Sequence, residues 1–240
     1  MCTVIIHVGD SPSDPIRLLA IRDEDPARPW NPLGRWWPDT HSGVVGVRDV
    51  RAGGAWLAAD PDEHRLAVLL NREDLSDRPE DQVVSRGSIV LASVAGTSPG
   101  KAPRTHGFNL VEVVPGSARV TMWDGIQARM QTLRPGTHMI AHDDVDDPAT
   151  ARIAHWLEEF RRTPLGDADA DGWWEPWMAV LARSGELPPT DDRAIIRDNR
   201  EIGYPTLSTL ICIASLSQTT LDVHYGEFAR PGEWSTLAMA

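Results

Sequence analysis

Apolar positions along the chain come in short runs broken by turn residues, with helical periodicity confined to the middle. Thr3 to Val8 is rich in β-branched residues and Ile16 to Ile21 is a second apolar run. Gly9-Asp10-Ser11-Pro12-Ser13-Asp14-Pro15 between them supplies turn chemistry, so the two runs predict an opening hairpin. Further strands are expected at Gly43 to Val47, Ala55 to Ala59 and Arg65 to Leu70, with Gly53-Gly54 and Asp60-Pro61-Asp62 between them. No helix is expected directly after Gly53-Gly54, so the pair reads as a tight turn or bulge rather than a phosphate cradle. Val83 to Val94 is the first expected helix, and Phe108 to Val114 with Ala118 to Trp123 predict a hairpin around Pro115-Gly116. Pro148 to Arg162 carries Ile153, Trp156, Leu157 and Phe160 on one helical face, and Pro164 stops it. Gly172 to Arg183 predicts another helix after the acidic linker Asp167-Ala168-Asp169-Ala170-Asp171. Thr206 to Ala214 and Thr219 to Tyr225 predict a closing hairpin.

Strands, a helical block and strands again predict an α+β layered domain rather than a doubly wound parallel sheet. Two antiparallel sheets with helices on their outer faces fit that order. At 240 residues without a shift in composition, residues 1–240 read as a single domain. There is no Gly-x-Gly-x-x-Gly or P-loop pattern to suggest a nucleotide fold.

Composition narrows the partners. A formal charge of -12 argues against nucleic acid and against an anionic membrane surface. No apolar stretch approaches the ~20 residues needed to span a bilayer, so no stable membrane insertion is expected. Without a basic, apolar leader the expected compartment is the cytoplasm. Ten tryptophans are many for this length, and Trp30, Trp36, Trp37, Trp173, Trp174 and Trp177 gather in two segments. They suit core filling or the wall of a pocket.

Chemistry concentrates at the start of the chain. Cys2 and Cys212 are the only cysteines, and Cys212 lies in the apolar run Leu210-Ile211-Cys212-Ile213-Ala214, as a structural cysteine would. Removal of Met1 would leave Cys2 with both a thiol and an α-amine, a nucleophile beside its own base. The first hairpin would bring Arg22 and Asp23 near it. The acidic run around His142, with Asp143, Asp144, Asp146 and Asp147, leads into a helix and reads as dipole complementation on a solvated loop. No histidine shows metal-ligand spacing, and neither a metal nor a cofactor is expected.

Several segments carry a family resemblance: Met1-Cys2, Arg22-Asp23-Glu24, Asp49-Val50-Arg51-Ala52-Gly53-Gly54-Ala55-Trp56, Leu66 to Asn71, Ser85-Arg86-Gly87 and Gly107-Phe108-Asn109-Leu110. In order and spacing the first half of the chain resembles the family named for an Asn-Arg-Asp-Glu motif, which includes transport and Golgi organisation proteins. Leu133 to Thr137 and Tyr204-Pro205-Thr206 extend the likeness faintly. The resemblance implies a relationship to N-terminal-nucleophile hydrolases, with a four-layer αββα sandwich and with cysteine-type amidases as the nearest catalytic analogues. It implies Cys2 as nucleophile, Arg22 as thiol activator, Asp23 as the carboxylate orienting the amine, and Asn71 near the oxyanion. His142 stands where relatives carry an asparagine, Ile21 replaces the motif asparagine and Leu207 replaces an arginine. His142, Trp56 and Asn109 are the expected binding residues. The implied function is hydrolysis of a small amide or thioester. The alternative is a non-catalytic carrier of haem, lipid or acyl-CoA, so the expected partner is a small amide, acyl or haem-like molecule. The sequence carries no signal for oligomeric state.

Overall fold

The computed structural model describes residues 2–166 and 172–240; Met1 and the acidic linker 167–171 lie outside the described residues. Twelve strands form two antiparallel sheets. The first sheet contains β1 (Thr3–Val8), β2 (Ile16–Glu24), β10 (Gly136–Ile140), β11 (Leu207–Leu216) and β12 (Leu221–Glu227), in the order β10-β1-β2-β11-β12. The second contains β3 (Trp30–Gly34), β4 (Val45–Asp49), β5 (Ala55–Asp60), β6 (Arg65–Asn71), β7 (Phe108–Val114), β8 (Ser117–Trp123) and β9 (Ala128–Thr132), paired in chain order. Three α-helices, α1 (Gly87–Val94), α2 (Ala151–Arg162) and α3 (Glu175–Ser184), and two short 3-10 helices, Glu80–Gln82 and Arg200–Ile202, complete the described elements.

Alternation of side chains divides the interior. Val4, Ile6, Leu18, Ala20 and Cys212 point from the first sheet into a core shared with Leu57, Val68, Val111 and Val120 of the second. Their strand neighbours Ile5, Leu19, Ile21, Ile211 and Ile213 face the other way, against Ile153, Trp156, Phe160, Trp177 and Leu181 of α2 and α3. Ala58, Ala67, Leu110 and Trp123 cover the opposite face of the second sheet with Val90, Leu91 and Val94 of α1. The expected α+β class with two antiparallel sheets is what the chain forms. Members of both tryptophan segments fill layers: Trp37 is buried with the residues of α1, and Trp173 and the α3 residue Trp177 are buried between the helices and the first sheet.

Several boundaries differ from expectation. β3 contains Pro32, which cannot donate to a ladder and is tolerated because β3 is an edge strand. It therefore left no strand signal, and neither did β9, whose residues are almost all exposed. β10, which opens on Gly136-Thr137-His138 without an apolar run, gave no signal either, although it supplies the edge against β1. β4 starts at Val45 rather than Gly43, and β2 continues past Ile21 through Arg22 and Asp23 to Glu24. The first helix starts at Gly87 rather than Val83, because Val83 to Arg86 stay irregular, with the Val84 N–H donating to Arg104 O at 2.7 Å. α2 begins at Ala151, three residues after Pro148, and α3 at Glu175 rather than Gly172.

The start of α1 is set by a glycine contact. A Cβ on Gly54 would overlap the backbone of Gly87, so the β4–β5 turn and the first residue of α1 meet main chain to main chain. Asp49 shapes that turn, accepting at Oδ1 from the Ala52 N–H at 2.9 Å. Gly54→Ala should destabilise the fold by about 2 kcal/mol or more, because neither backbone can yield. Gly100→Ala, where a Cβ would meet nothing within 4 Å, is the matched control. Denaturant unfolding checks this, and equal midpoints for the two variants would disprove the close-approach argument.

Candidate active site

The pairing of β1 with β2 places Thr3 opposite Ile21, so Cys2, one residue before, comes to the level of Arg22 and Asp23. The Asp23 N–H lies 3.4 Å from Cys2 Sγ, and the thiol points toward Asp23 O at 3.8 Å. Cys2 is buried in the inter-sheet core, yet it also lines a cavity of about 300 Å³ together with Arg22, Asp23, Trp56 and Asn71. Burial pushes the thiol above its ordinary range, Arg22 opposing it only weakly. Arg22 by itself therefore does not make this sulfur a thiolate.

β11 pairs on the other side of β2, with a bulge between Ser208 and Leu210. The bulge turns Ser208 to donate to Asp23 Oδ1 at 2.6 Å, while accepting from the Arg197 N–H at 2.9 Å. Asn199 Nδ2 reaches Asp23 Oδ2 at 3.4 Å, and Asn199 Oδ1 accepts from Arg197 Nε at 3.0 Å. A carboxylate only 4% exposed is thus held from strands and loops far apart in sequence. Arg152 is buried and held down to about 10 by that burial, the Asp23 charge opposing it.

Arg22 belongs to a charge cluster on the cavity wall. Its Nη2 donates to Glu24 Oε2 at 3.0 Å and lies 3.8 Å from Asp49 Oδ2, and its guanidinium stacks 5.7 Å from the Trp30 ring centroid. Trp30 is itself anchored, donating from Nε1 to Tyr225 OH at 3.0 Å. Arg28 Nε pairs with Asp49 Oδ2 at 2.6 Å. Opposite, Val83, Val84, Ser85 and Arg86 come from the segment between β6 and α1. Arg86 Nη1 donates to Gly107 O at 2.7 Å, and burial lowers the Arg86 guanidinium below its ordinary value. His106 ties that segment down, with Nδ1 2.7 Å from Asp74 Oδ2 and Nε2 3.3 Å from Glu80 Oε1.

The expected residues therefore divide. Cys2, Arg22, Asp23, Asn71 and Trp56 meet on one cavity; His142 and Asn109 do not line it. Asn109 is fully buried, its Nδ2 donating to Ala141 O at 3.0 Å and Asp143 O at 2.7 Å, so it fastens the loop after β10 to β7. His142 lines a separate small cavity with Arg152, Asp192 and Arg197. Arg152 Nη2 lies 3.3 Å from His142 Nδ1, which must accept, leaving Nε2–H for Asp143 Oδ2 at 3.2 Å. Burial and the Arg152 charge keep this imidazole below the ordinary histidine range. The neighbouring carboxylates have cationic or hydrogen-bonding partners: Asp144 binds Arg72 and Arg129, Asp146 binds His138 and Arg161, and Asp143 accepts from Thr150.

Arg86, Glu24, Arg28 and Asp49 line the cavity although none was expected as a site residue; Glu24, Asp49 and Arg86 lie in the motif segments quoted above, and Arg28 lies four residues beyond one of them, in Ala27-Arg28-Pro29. Ser208 and Asn199 had none, since only the β2–β11 pairing brings them to Asp23. Among the described residues no group of three or more His, Cys, Asp or Glu side chains is placed to hold a metal ion, and no helix is long and apolar enough to cross a membrane.

No curated protein matches the chain. A family model described as Transport and Golgi organisation 2 matches residues 1–217, a span that takes in every cavity-lining segment as well as Asn199 and Ser208. The chain belongs to the transport and Golgi organisation 2 family.

Proposed function

We propose that the chain is a cysteine-type N-terminal-nucleophile amidohydrolase acting on a small amide or thioester through Cys2 once Met1 is removed. The observation that carries this reading is Cys2 Sγ on the cavity wall beside Arg22 and the buried, hydrogen-bonded Asp23. The layering supports it as well: α1, the seven-stranded sheet, the five-stranded sheet, then α2 and α3 is the order of the αββα sandwich such enzymes use. Two buried free cysteines, one of them the nucleophile, suit the reducing cytoplasm. The carrier alternative drew on the tryptophan segments, but Trp37, Trp173 and Trp177 are buried in the helix-covered cores and Trp30 lies behind Arg22, whereas the cavity lining has Trp56 as its tryptophan and seven charged side chains.

The chemistry follows from the thiol's burial. A protonated, desolvated thiol is a poor nucleophile, and a free α-amine on the same residue is the base that activates it. The thiol proton passes to the amine, and sulfur bonds to the substrate carbonyl carbon as the carbonyl electrons move to oxygen. Asn71, which lines the cavity, is the residue proposed to donate to that oxygen. Collapse breaks the C–N bond, and the ammonium returns its proton to the leaving amine. Water then attacks the thioester, giving its proton to the α-amine, which returns it to the departing thiolate. Asp23, fixed by Ser208 and Asn199, orients the amine throughout.

Turnover of small chromogenic anilides and thioesters by the processed protein tests the proposal. Cys2→Ala should lower kcat by a factor on the order of 1000 or more with unfolding unchanged, and hydrolysis surviving in that variant would sink the reading. The α-amine must be neutral to accept the proton, so kcat/KM should rise with pH through an acid limb. A neighbouring carboxylate favours the ammonium form, so Asp23→Asn should move that limb to lower pH while lowering the plateau by about 10–100-fold. A limb that stays in place would remove Asp23 from the role of amine partner.

A further inference from the structure

Charges on the cavity wall can be paired off. Arg22 and Arg28 face Glu24 and Asp49, at 3.0 Å for Arg22–Glu24 and 2.6 Å for Arg28–Asp49. Glu80 lies 3.2 Å from His106, and Asp23 is bound by Ser208 and Asn199 at the base. Arg86 alone among these arginines has no ion-pair partner among the described residues, and the protein contact recorded for its guanidinium is the Gly107 carbonyl. Glu24 and Asp74 act on this guanidinium only from beyond contact distance, and a half-buried guanidinium with no carboxylate in contact gains from an anion that comes within hydrogen-bond reach.

Two other polar atoms of the same wall are buried without a hydrogen-bond partner among the described residues: Arg22 Nη1 and Trp56 Nε1. Arg22 is 2% exposed and Trp56 7% exposed, so water does not readily compensate them. Both are donors, but they have almost no surface open to the cavity, so the reachable donors on this wall are the remaining N–H groups of Arg86. An occupant that pairs with them must present acceptors and one negative charge. Beside them Trp56, Leu69, Val83, Ala52 and Ala55 give the cavity an apolar flank.

We infer that the cavity binds a monoanionic carboxylate-bearing substrate, with Arg86 as the counter-cation and specificity-determining residue and the short apolar flank beside it taking the substrate's hydrocarbon part. A dianion is disfavoured because Glu24, Asp49 and Glu80 line the same wall. A single uncompensated arginine matches a single charge, and its planar fork fits a carboxylate. The inference deepens the amidohydrolase reading by assigning its substrate class, while the binding event itself does not require Cys2 to react.

Calorimetric titration of the full chain with hexanoate, hexanamide and hexyl phosphate tests it. Hexanoate should bind about tenfold or more tightly than hexanamide, as one charge-assisted contact provides, and more tightly than hexyl phosphate. Arg86→Gln should erase the preference for hexanoate over hexanamide, and Arg86→Lys should keep part of it. Added salt should weaken hexanoate but not hexanamide binding to the unmutated protein, which keeps the test available if Arg86→Gln does not fold. Equal binding of hexanoate and hexanamide, or tighter binding of hexyl phosphate, overturns the inference. Turnover of amides without any carboxylate preference would overturn it and leave the hydrolase reading standing. Arg86-dependent hexanoate binding by a protein that cleaves no amide would support it while the hydrolase reading fails.

Discussion

The register of β1 on β2 is the constraint on which the site depends. With Thr3 opposite Ile21, the residue before the strand meets the residues after Ile21, and a slip of β1 by one position would turn Cys2 from Asp23 and exchange the two faces of β1. The slip is opposed from both sides, because Val4, Ile6, Leu18 and Ala20 fill the inter-sheet core while Ile5, Leu19 and Ile21 fill the helix-covered one. β2 is a central strand, flanked by β1 and β11, so the candidate site rests on the most constrained part of the sheet.

Polar groups at the base of the cavity add a second level of order. Asp23 is nearly inaccessible, and a buried carboxylate stripped of its donors costs about 1–3 kcal/mol for each lost bond, more when charged. The bulge in β11 converts that liability into a connection: Ser208 serves Asp23 and the Arg197 backbone at once. The same network brings Asn199 and Arg197 from the segment after α3, so the last third of the chain braces a site whose cysteine lies at the start. Asn109 plays the corresponding part for the loop after β10. Its function is to hold main chain, which explains why it sits near the site without lining the cavity.

Legibility in the sequence followed burial. β1, β2, β5, β6, β7 and β8 carry apolar runs because both sheet faces are covered, and each was readable from the side chains alone. β3, β9 and β10 are edge or short strands whose existence is decided by the neighbour they pair with, so no local pattern announces them. The Cys2–Arg22–Asp23 grouping was readable through a single hairpin, a local structure. His142 was assigned by its position relative to a family asparagine, but the structure gives it a different neighbourhood behind Asp23, among Arg152 and Arg197. Ser208 and Asn199 were beyond reach, since a contact spanning 185 residues, as between Asp23 and Ser208, leaves no trace in spacing.

The central claim is that burial alone leaves the Cys2 sulfur inert and that a free α-amine on the same residue makes it a nucleophile. Intact mass of the purified protein before and after brief exposure to iodoacetamide, with the labelled peptide mapped, tests this most directly. The account predicts loss of the mass of one methionine and rapid addition of a single label at Cys2, with Cys212 untouched in the folded protein. A protein that retains Met1 yet labels just as fast at Cys2, or one that has lost Met1 and leaves Cys2 unlabelled, would contradict it.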